Sequence, residues 1–235
     1  MTRTHVRIAV KVHNRTCMEF AGFKHEAFAW FEELEANNNR AWFAEHRATY
    51  EHAVRDPLDE LLELFADEIG GRVKLFRQHR DVRFSRDKSP YKTRTYGLLY
   101  EVPGMQTGLF AAISAEGLYT ATGYYRMSRD QLERFRRAVD DDGTGPSLAR
   151  EVVRARSKGL TVEGDGLRTA PRGYPKDHPR IELLRMTSVI AGRGWPTTGG
   201  ISRRTALSGV TKAWRDARPL VEWLDEHVGS AEVVG

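Results

Sequence analysis

Cysteine is almost absent from this chain: Cys17 is the single one in 235 residues. That excludes a disulfide framework and a Cys-rich zinc site, and it fits a reducing compartment. No apolar run approaches the roughly 20 residues that span a bilayer, so no membrane partner is expected. The opening Met1-Thr2-Arg3-Thr4-His5-Val6-Arg7 lacks the apolar segment of a secretory signal. A cytoplasmic setting is therefore expected, and Asn14-Arg15-Thr16 is an unused glycosylation sequon. Also missing are the phosphate-loop signature, the Gly-x-Ser-x-Gly elbow and the His-Glu-x-x-His metal motif. His79-Arg80-Asp81 matches the catalytic triplet of protein kinases but lacks their glycine loop and Asp-Phe-Gly, so the match is fortuitous. No repeat, low-complexity tract or compositional break divides the chain.

What is present is a folded composition with one uneven feature. Hydrophobic residues make up 40% and aromatics 10%, which points to a globular protein. The net charge of +5 is concentrated: Arg72 to Arg94 holds nine Lys/Arg against Asp81 and Asp87. The remainder is slightly acidic, so the basic character belongs to a site and not to the whole chain.

Residues 1–17 read as a loose N-terminal extension, in which Val6, Ile8, Val10 and Val12 alternate with polar neighbours, and Met18 is a second candidate start. Residues 18–229 read as one domain and 230–235 as a tail. Helical spacing of Phe23, Ala27, Trp30, Phe31 and Leu34 predicts a first helix, ended by Asn37-Asn38-Asn39. A second helix is expected over 40–54, and a third runs from Asp56-Pro57 to Gly70-Gly71. Trp30, Trp42 and Trp223 fall at apolar helical positions and read as core. The period then changes. Phe76 to Phe84 is expected as a strand with Phe76, Val82 and Phe84 on one face, followed by a Ser89-Pro90 turn and a strand over 96–102. Segments 108–114 and 118–125 flank Ala115-Glu116-Gly117 as a hairpin. Helices are expected over 129–139, 146–156 and 179–190, the last capped by Asp177 or His178; 192–200 reads as a mobile connection, and a final helix restarts at Pro219. Asp140-Asp141-Asp142 reads as solvated charge at a helix end, because hard cations want ligands converging from alternate or distant positions. The fold class is therefore α+β: an N-terminal three-helix segment, a central antiparallel β-sheet and a mostly helical C-terminal half.

Two patterns carry a resemblance. One is Phe31-x-x-Leu34-x-x-Asn37-Asn38-x-Arg40-x-Trp42-Phe43. The other is the unbroken run Arg80-Asp81-Val82-Arg83-Phe84-Ser85-Arg86-Asp87-Lys88-Ser89-Pro90-Tyr91-Lys92. With Ala170-Pro171-Arg172-Gly173-Tyr174, His178-Pro179, Glu182-Leu183-Leu184-Arg185 and Pro219-Leu220-x-x-Trp223-Leu224, the chain resembles the conserved-hypothetical family called domain of unknown function 2461 over about residues 19 to 228. The resemblance implies a bacterial cytosolic protein of one domain. It transfers no activity, and the first 17 residues depart from the family's usual start.

Three readings of the central run follow from its chemistry. In the first, Arg80, Arg83, Ser85, Arg86, Lys88, Tyr91 and Lys92 bind a phosphate-containing or other anionic small ligand, with Asp81 or Asp87 as proton acceptor or metal ligand, and Arg172, His178 and Arg185 approach from the second motif. Nearby cations lower a carboxylate's pKa, so catalysis would require one acid to be freed from its arginines. In the second, the basic 72–94 segment binds nucleic acid, with Tyr91, Tyr96 and Tyr100 stacking on bases. In the third, the charges form a network that pins the fold. The pattern identifies no cofactor and no dedicated metal site.

Overall fold

A computed structural model describes residues 20–197 and 199–231. The expectations for residues 1–17, including the candidate start at Met18, lie outside the described residues, as does most of the C-terminal tail.

A short strand β1 (Gly22–Phe23) leads into helix α1 (His25–Ala36), which buries Ala27, Phe28, Trp30, Phe31 and Leu34. The asparagine triplet stops it, and the Asn39 side chain accepts from the Trp42 amide at 3.0 Å to cap helix α2 (Arg40–Glu45). The expected second helix is not continuous. After α2 come a single turn α3 (Arg47–Thr49) and a π-helical turn (Tyr50–Arg55) before α4 (Asp56–Ile69). The widened turn buries Tyr50, Ala53 and Val54 together, a displacement that a 3.6-residue period does not reveal.

The main sheet is antiparallel and six-stranded, with spatial order β2-β3-β4-β5-β7-β6. Its strands are β2 (Arg72–Leu75), β3 (Arg94–Tyr100), β4 (Leu109–Ser114), β5 (Gly117–Tyr124), β6 (Thr161–Glu163) and β7 (Val189–Pro196). The β4–β5 hairpin appears where expected, tightened so that Ser114 pairs with Gly117. Between β5 and β6 the chain forms α5 (Arg129–Asp140) behind a Ser128 capping box, then α6 (Gly145–Ser157). After β7 comes β8 (Ile201–Ser202), which pairs with β1. The long helix α8 (Arg203–His227) follows.

Four further expectations are corrected. Phe76–Phe84 is not a strand: β2 ends at Leu75, Gln78 is buried and Phe84 is 96% exposed. The helix expected over 179–190 is only the short α7 (Ile181–Arg185). The connection expected over 192–200 is strand as far as Pro196, the end of β7, which pairs with β5 along its length and with β6 up to Gly192. Its glycines hide the alternation: a Cβ on Gly192 would sit 2.1 Å from the Tyr119 hydroxyl, so Gly192 makes room for that ring while Val189, Ala191 and Trp195 face inward. Pro219 does not start a helix either. It lies inside α8, where buried residues from Ala206 to Leu224 run past it and outweigh a proline cost of about 3 kcal/mol.

The helices pack on one face of the sheet. Leu62 of α4 meets Gly97 of β3, and Gly209 of α8 meets Trp195 of β7. Two hydrophobic clusters result, and α8 contributes to both: Ala206, Val210 and Trp214 to the first, Ala213, Leu220, Trp223 and Leu224 to the second. Trp30 and Trp223 are core as expected, whereas Trp42 is half-buried and stacks on His46 at 4.1 Å.

The α4–sheet contact is tight enough to test. A Cβ at Gly97 would lie 2.5 Å from a Leu75 methyl and 2.6 Å from a Leu62 methyl. Gly97→Ala is expected to overpack this layer and lower the unfolding free energy by about 1–3 kcal/mol, read as a lower urea midpoint at unchanged m-value.

Candidate functional site

The basic run forms a long loop, residues 76–93, that leaves β2 and returns to β3. Its base is ladder-like. The Lys92 amide donates to the Gln78 carbonyl at 2.9 Å, the Arg80 amide donates to the Pro90 carbonyl at 2.8 Å, and His79 pairs with Tyr91 between them. Gln78 turns inward and donates to the Lys92 carbonyl, while Thr95 Oγ1 donates to Gln78 Oε1 at 2.8 Å and lies 3.5 Å from the Tyr50 hydroxyl. A buried polar chain thus ties the loop to the π-helical turn.

Tyr91 is the anchor. Its ring stacks on Phe43 at 3.9 Å and 12°. The Asn38 amide treats its backbone as a neighbouring strand would: Nδ2 donates to the Tyr91 carbonyl at 3.0 Å, and Oδ1 accepts from the Tyr91 amide at 3.1 Å. The two sequence patterns behind the resemblance therefore meet in space.

The charges at the loop tip are paired and exposed together. Arg83 grips Asp81 through Nε at 2.9 Å and Nη2 at 2.7 Å, and Arg80 pairs with Asp87. Asp87 also accepts from the Ser89 amide at 2.9 Å and the Ser89 hydroxyl at 2.6 Å; Ser85 lies 3.5 Å from Arg80. Lys88 donates to the Val82 carbonyl at 3.1 Å. Lys92 donates to the Arg77 carbonyl at 2.8 Å and sits 4.5 Å from the Tyr96 ring centre. Hydrogen bonding from Arg83 holds the Asp81 carboxyl below its usual range, and the Ser89 hydroxyl followed by Arg80 holds Asp87 far below it. Both acids are ionised at neutral pH, and their lowered pKa values make them weak general bases. Among the described residues no carboxylate lies within ion-pairing distance of Arg77, Arg86, Lys88 or Lys92.

Beside the loop base lies a cleft of about 670 Å³. Phe43, Tyr50 and Tyr91 line it with buried aromatic surface, and Arg47, Arg55, Arg77 and His79 bring cationic or titratable groups. Arg47 is engaged with Glu51 at 2.9 Å and Arg55 with Asp56 at 3.0 Å. Burial pushes the Tyr50 hydroxyl above its ordinary pKa, so it stays neutral. Residue reading did not single out this cleft. Arg47, Glu51 and Arg55 at four-residue spacing on a helical segment were the available signal.

Arg172, His178 and Arg185 lie elsewhere. Arg172 and His178 precede α7 and Arg185 ends it; α7 packs with α5, whereas the basic loop leaves β2 at the opposite end of the sheet order from β6. His178 accepts from the Arg180 amide at 3.0 Å and contacts Asp140 at 3.2 Å, and Arg185 pairs with Glu182 at 2.9 Å. The acidic triplet is absorbed locally. Asp141 accepts from the amides of Gly143 and Thr144 at 2.8 and 2.9 Å, and Asp142 pairs with Arg180 at 2.8 Å. No metal-holding group of carboxylates, histidines or cysteine occurs among the described residues.

Two outcomes follow from this geometry. Asn38→Ala strands two backbone groups of buried Tyr91 and is expected to destabilise the protein by about 2 kcal/mol, measured by urea unfolding. The stability that ionised Asp87 contributes is fully present above the ordinary carboxylate pKa of about 3.9 and is lost progressively as the pH falls from there toward its far lower folded-state pKa. The difference in thermal midpoint between wild type and Asp87→Asn should therefore stay constant between about pH 7 and about pH 5 and shrink progressively below about pH 4; a difference that stays constant down to about pH 2 would show that ionisation of Asp87 does not matter.

Among the described residues no helix is long and apolar enough to cross a membrane. No curated protein matches the chain. The family pattern of a conserved hypothetical protein does match, over residues 26–223, and that span takes in both α1–α2 with Asn38 and the whole basic loop. With most of its length inside that match, the chain belongs to the conserved-hypothetical family called domain of unknown function 2461.

Proposed function

We propose that the protein binds a small anionic ligand, carrying a phosphate or carboxylate, in the cleft between the π-helical turn and the base of the basic loop. The observation that carries this reading is Arg77: it faces a cleft of about 670 Å³ with an aromatic floor and has no carboxylate partner of its own among the described residues. An apolar wall with a few convergent polar groups is the ordinary form of a small-molecule site. Arg77 would meet the anion, His79 would add a ring N–H donor, and Arg47 and Arg55 could turn from their exposed carboxylates toward it. An uncharged Tyr50 below them can donate a hydrogen bond without repelling a negative ligand.

In this reading the loop tip frames the site. Asp81 and Asp87 hold Arg83 and Arg80 in place, and Arg86, Lys88 and Lys92 raise the local positive potential that draws an anion in. The ring of Tyr91 forms part of the wall. Arg172, His178 and Arg185 are assigned to the packing of α7 and not to this cleft.

A thermal-shift screen of phosphate esters, nucleotides and dicarboxylates tests the proposal. A ligand at about 100 times its dissociation constant stabilises by about 2.7 kcal/mol, or roughly 5–10 °C for a chain of this size. Arg77→Ala should abolish the shift while leaving the unliganded midpoint near wild type. No shift with any compound, or a shift that survives Arg77→Ala, would overturn the assignment.

A further inference from the structure

The sheet has a second face, turned away from the helices, and it carries chemistry that the cleft does not use. Leu98, Phe110, Tyr119 and Ile190 on this face remain only half-buried. Across it runs a line of rings. Phe76 lies 4.9 Å from Tyr96, Tyr96 lies 5.6 Å from Phe110, and Phe110 lies 6.2 Å from Tyr119, so the line crosses from the end of β2 over β3 and β4 to β5.

Cations border the β2–β3 end of that line. Lys74 sits 5.3 Å from the Phe76 ring centre, Lys92 4.5 Å and Arg94 5.8 Å from that of Tyr96. None of these three has a carboxylate within ion-pairing distance among the described residues. Gly194 opposite Tyr119, and Gly192 opposite Ala121, keep the far end low. Charge of one sign beside a row of π-faces is the arrangement that takes single-stranded nucleic acid: phosphates meet the cations while bases stack on the rings. A second copy is a poorer occupant. Docking β2 against β2 would bring Arg72 and Lys74 of both chains together, and such charges on an edge strand oppose pairing.

We propose that this outer sheet face is a binding platform for single-stranded nucleic acid, with Tyr96 and Phe110 as stacking residues and Lys74, Lys92 and Arg94 as phosphate contacts. The platform is separate from the cleft: Tyr91, a wall of the cleft, is buried against Phe43 and takes no part in stacking.

Fluorescence anisotropy with labelled oligo(dT) and oligo(U) of about 12 nucleotides tests it, since single-strand sites span about 4–16 nucleotides. Wild type should bind at about 50 mM salt and weaken steeply as salt rises, with Lys74→Gln reducing the log–log slope by about 0.7. Tyr96→Ala should weaken binding about tenfold and Tyr96→Phe, which keeps the ring, should restore it. Arg47→Ala, in the cleft, should bind oligonucleotide as wild type does. Circular dichroism melts of each variant establish that the fold is retained. The proposal is overturned by absence of binding at about 50 mM salt, by Tyr96→Ala binding as tightly as wild type, or by loss of binding in Arg47→Ala. Equal affinity for duplex would also overturn it, because a duplex offers no unstacked base to the rings.

Discussion

The contact between Asn38 and Tyr91 is the constraint on which the basic loop and its cleft depend. A loop of this length carries many backbone groups and few apolar residues, so left alone it would sample many arrangements. One asparagine amide, 53 positions earlier in the chain, satisfies both backbone groups of Tyr91 and places its ring flat on Phe43. From that point the ladder between Gln78 and Lys92 sets the loop base, and the base forms one wall of the cleft. The π-helical turn provides the other wall. Its extra residue per turn lets Tyr50 reach the buried chain through Thr95 and Gln78.

The charge cluster has a different character from either simple picture of it. A structural network would be buried, and a free binding site would leave its cations without partners. The tip is instead solvent-exposed and internally paired, with Arg83 on Asp81 and Arg80 on Asp87. Exposed pairs contribute little to stability. What they do here is orient: each acid neutralises one arginine and leaves Arg77, Arg86, Lys88 and Lys92 as the surplus. Of these, Arg77 lines the cleft and Lys92 lies beside the Tyr96 ring on the sheet, while Lys88 stays at the tip on the Val82 carbonyl.

Much of this was legible in the sequence and some was not, for reasons that can be named. The α+β class, α1, α4, α5 and the β4–β5 hairpin follow from periodicity and turn residues, which act locally. The failures occur where tertiary contacts override local pattern. Gly192 and Gly194 mark a strand because Tyr119 occupies the space above them, and no local signal announces that. Pro219 sits within α8 because two hydrophobic clusters bury the helix on both sides of it. Alternation from Phe76 to Phe84 imitates a strand, yet Gln78 points into the interior and Phe84 into solvent. For the candidate site, the density of cations in the sequence points to the basic loop, and the cleft lies beside the base of that loop. The sequence could not indicate the cleft, which exists only because residues near 47 and residues near 77 are brought together.

Helix α8 has a bearing on how the molecule reaches this state. It belongs to both hydrophobic clusters, and β7, which precedes it, is the strand that joins β5 to β6. Both elements are late in the chain, so neither cluster can close around an early fragment. Assembly must wait for contacts of long sequence separation, which slows folding and leaves the inner face of the sheet open in the meantime. Once α8 is seated, loosening one cluster withdraws a wall from the other, and the two halves are bound to unfold together.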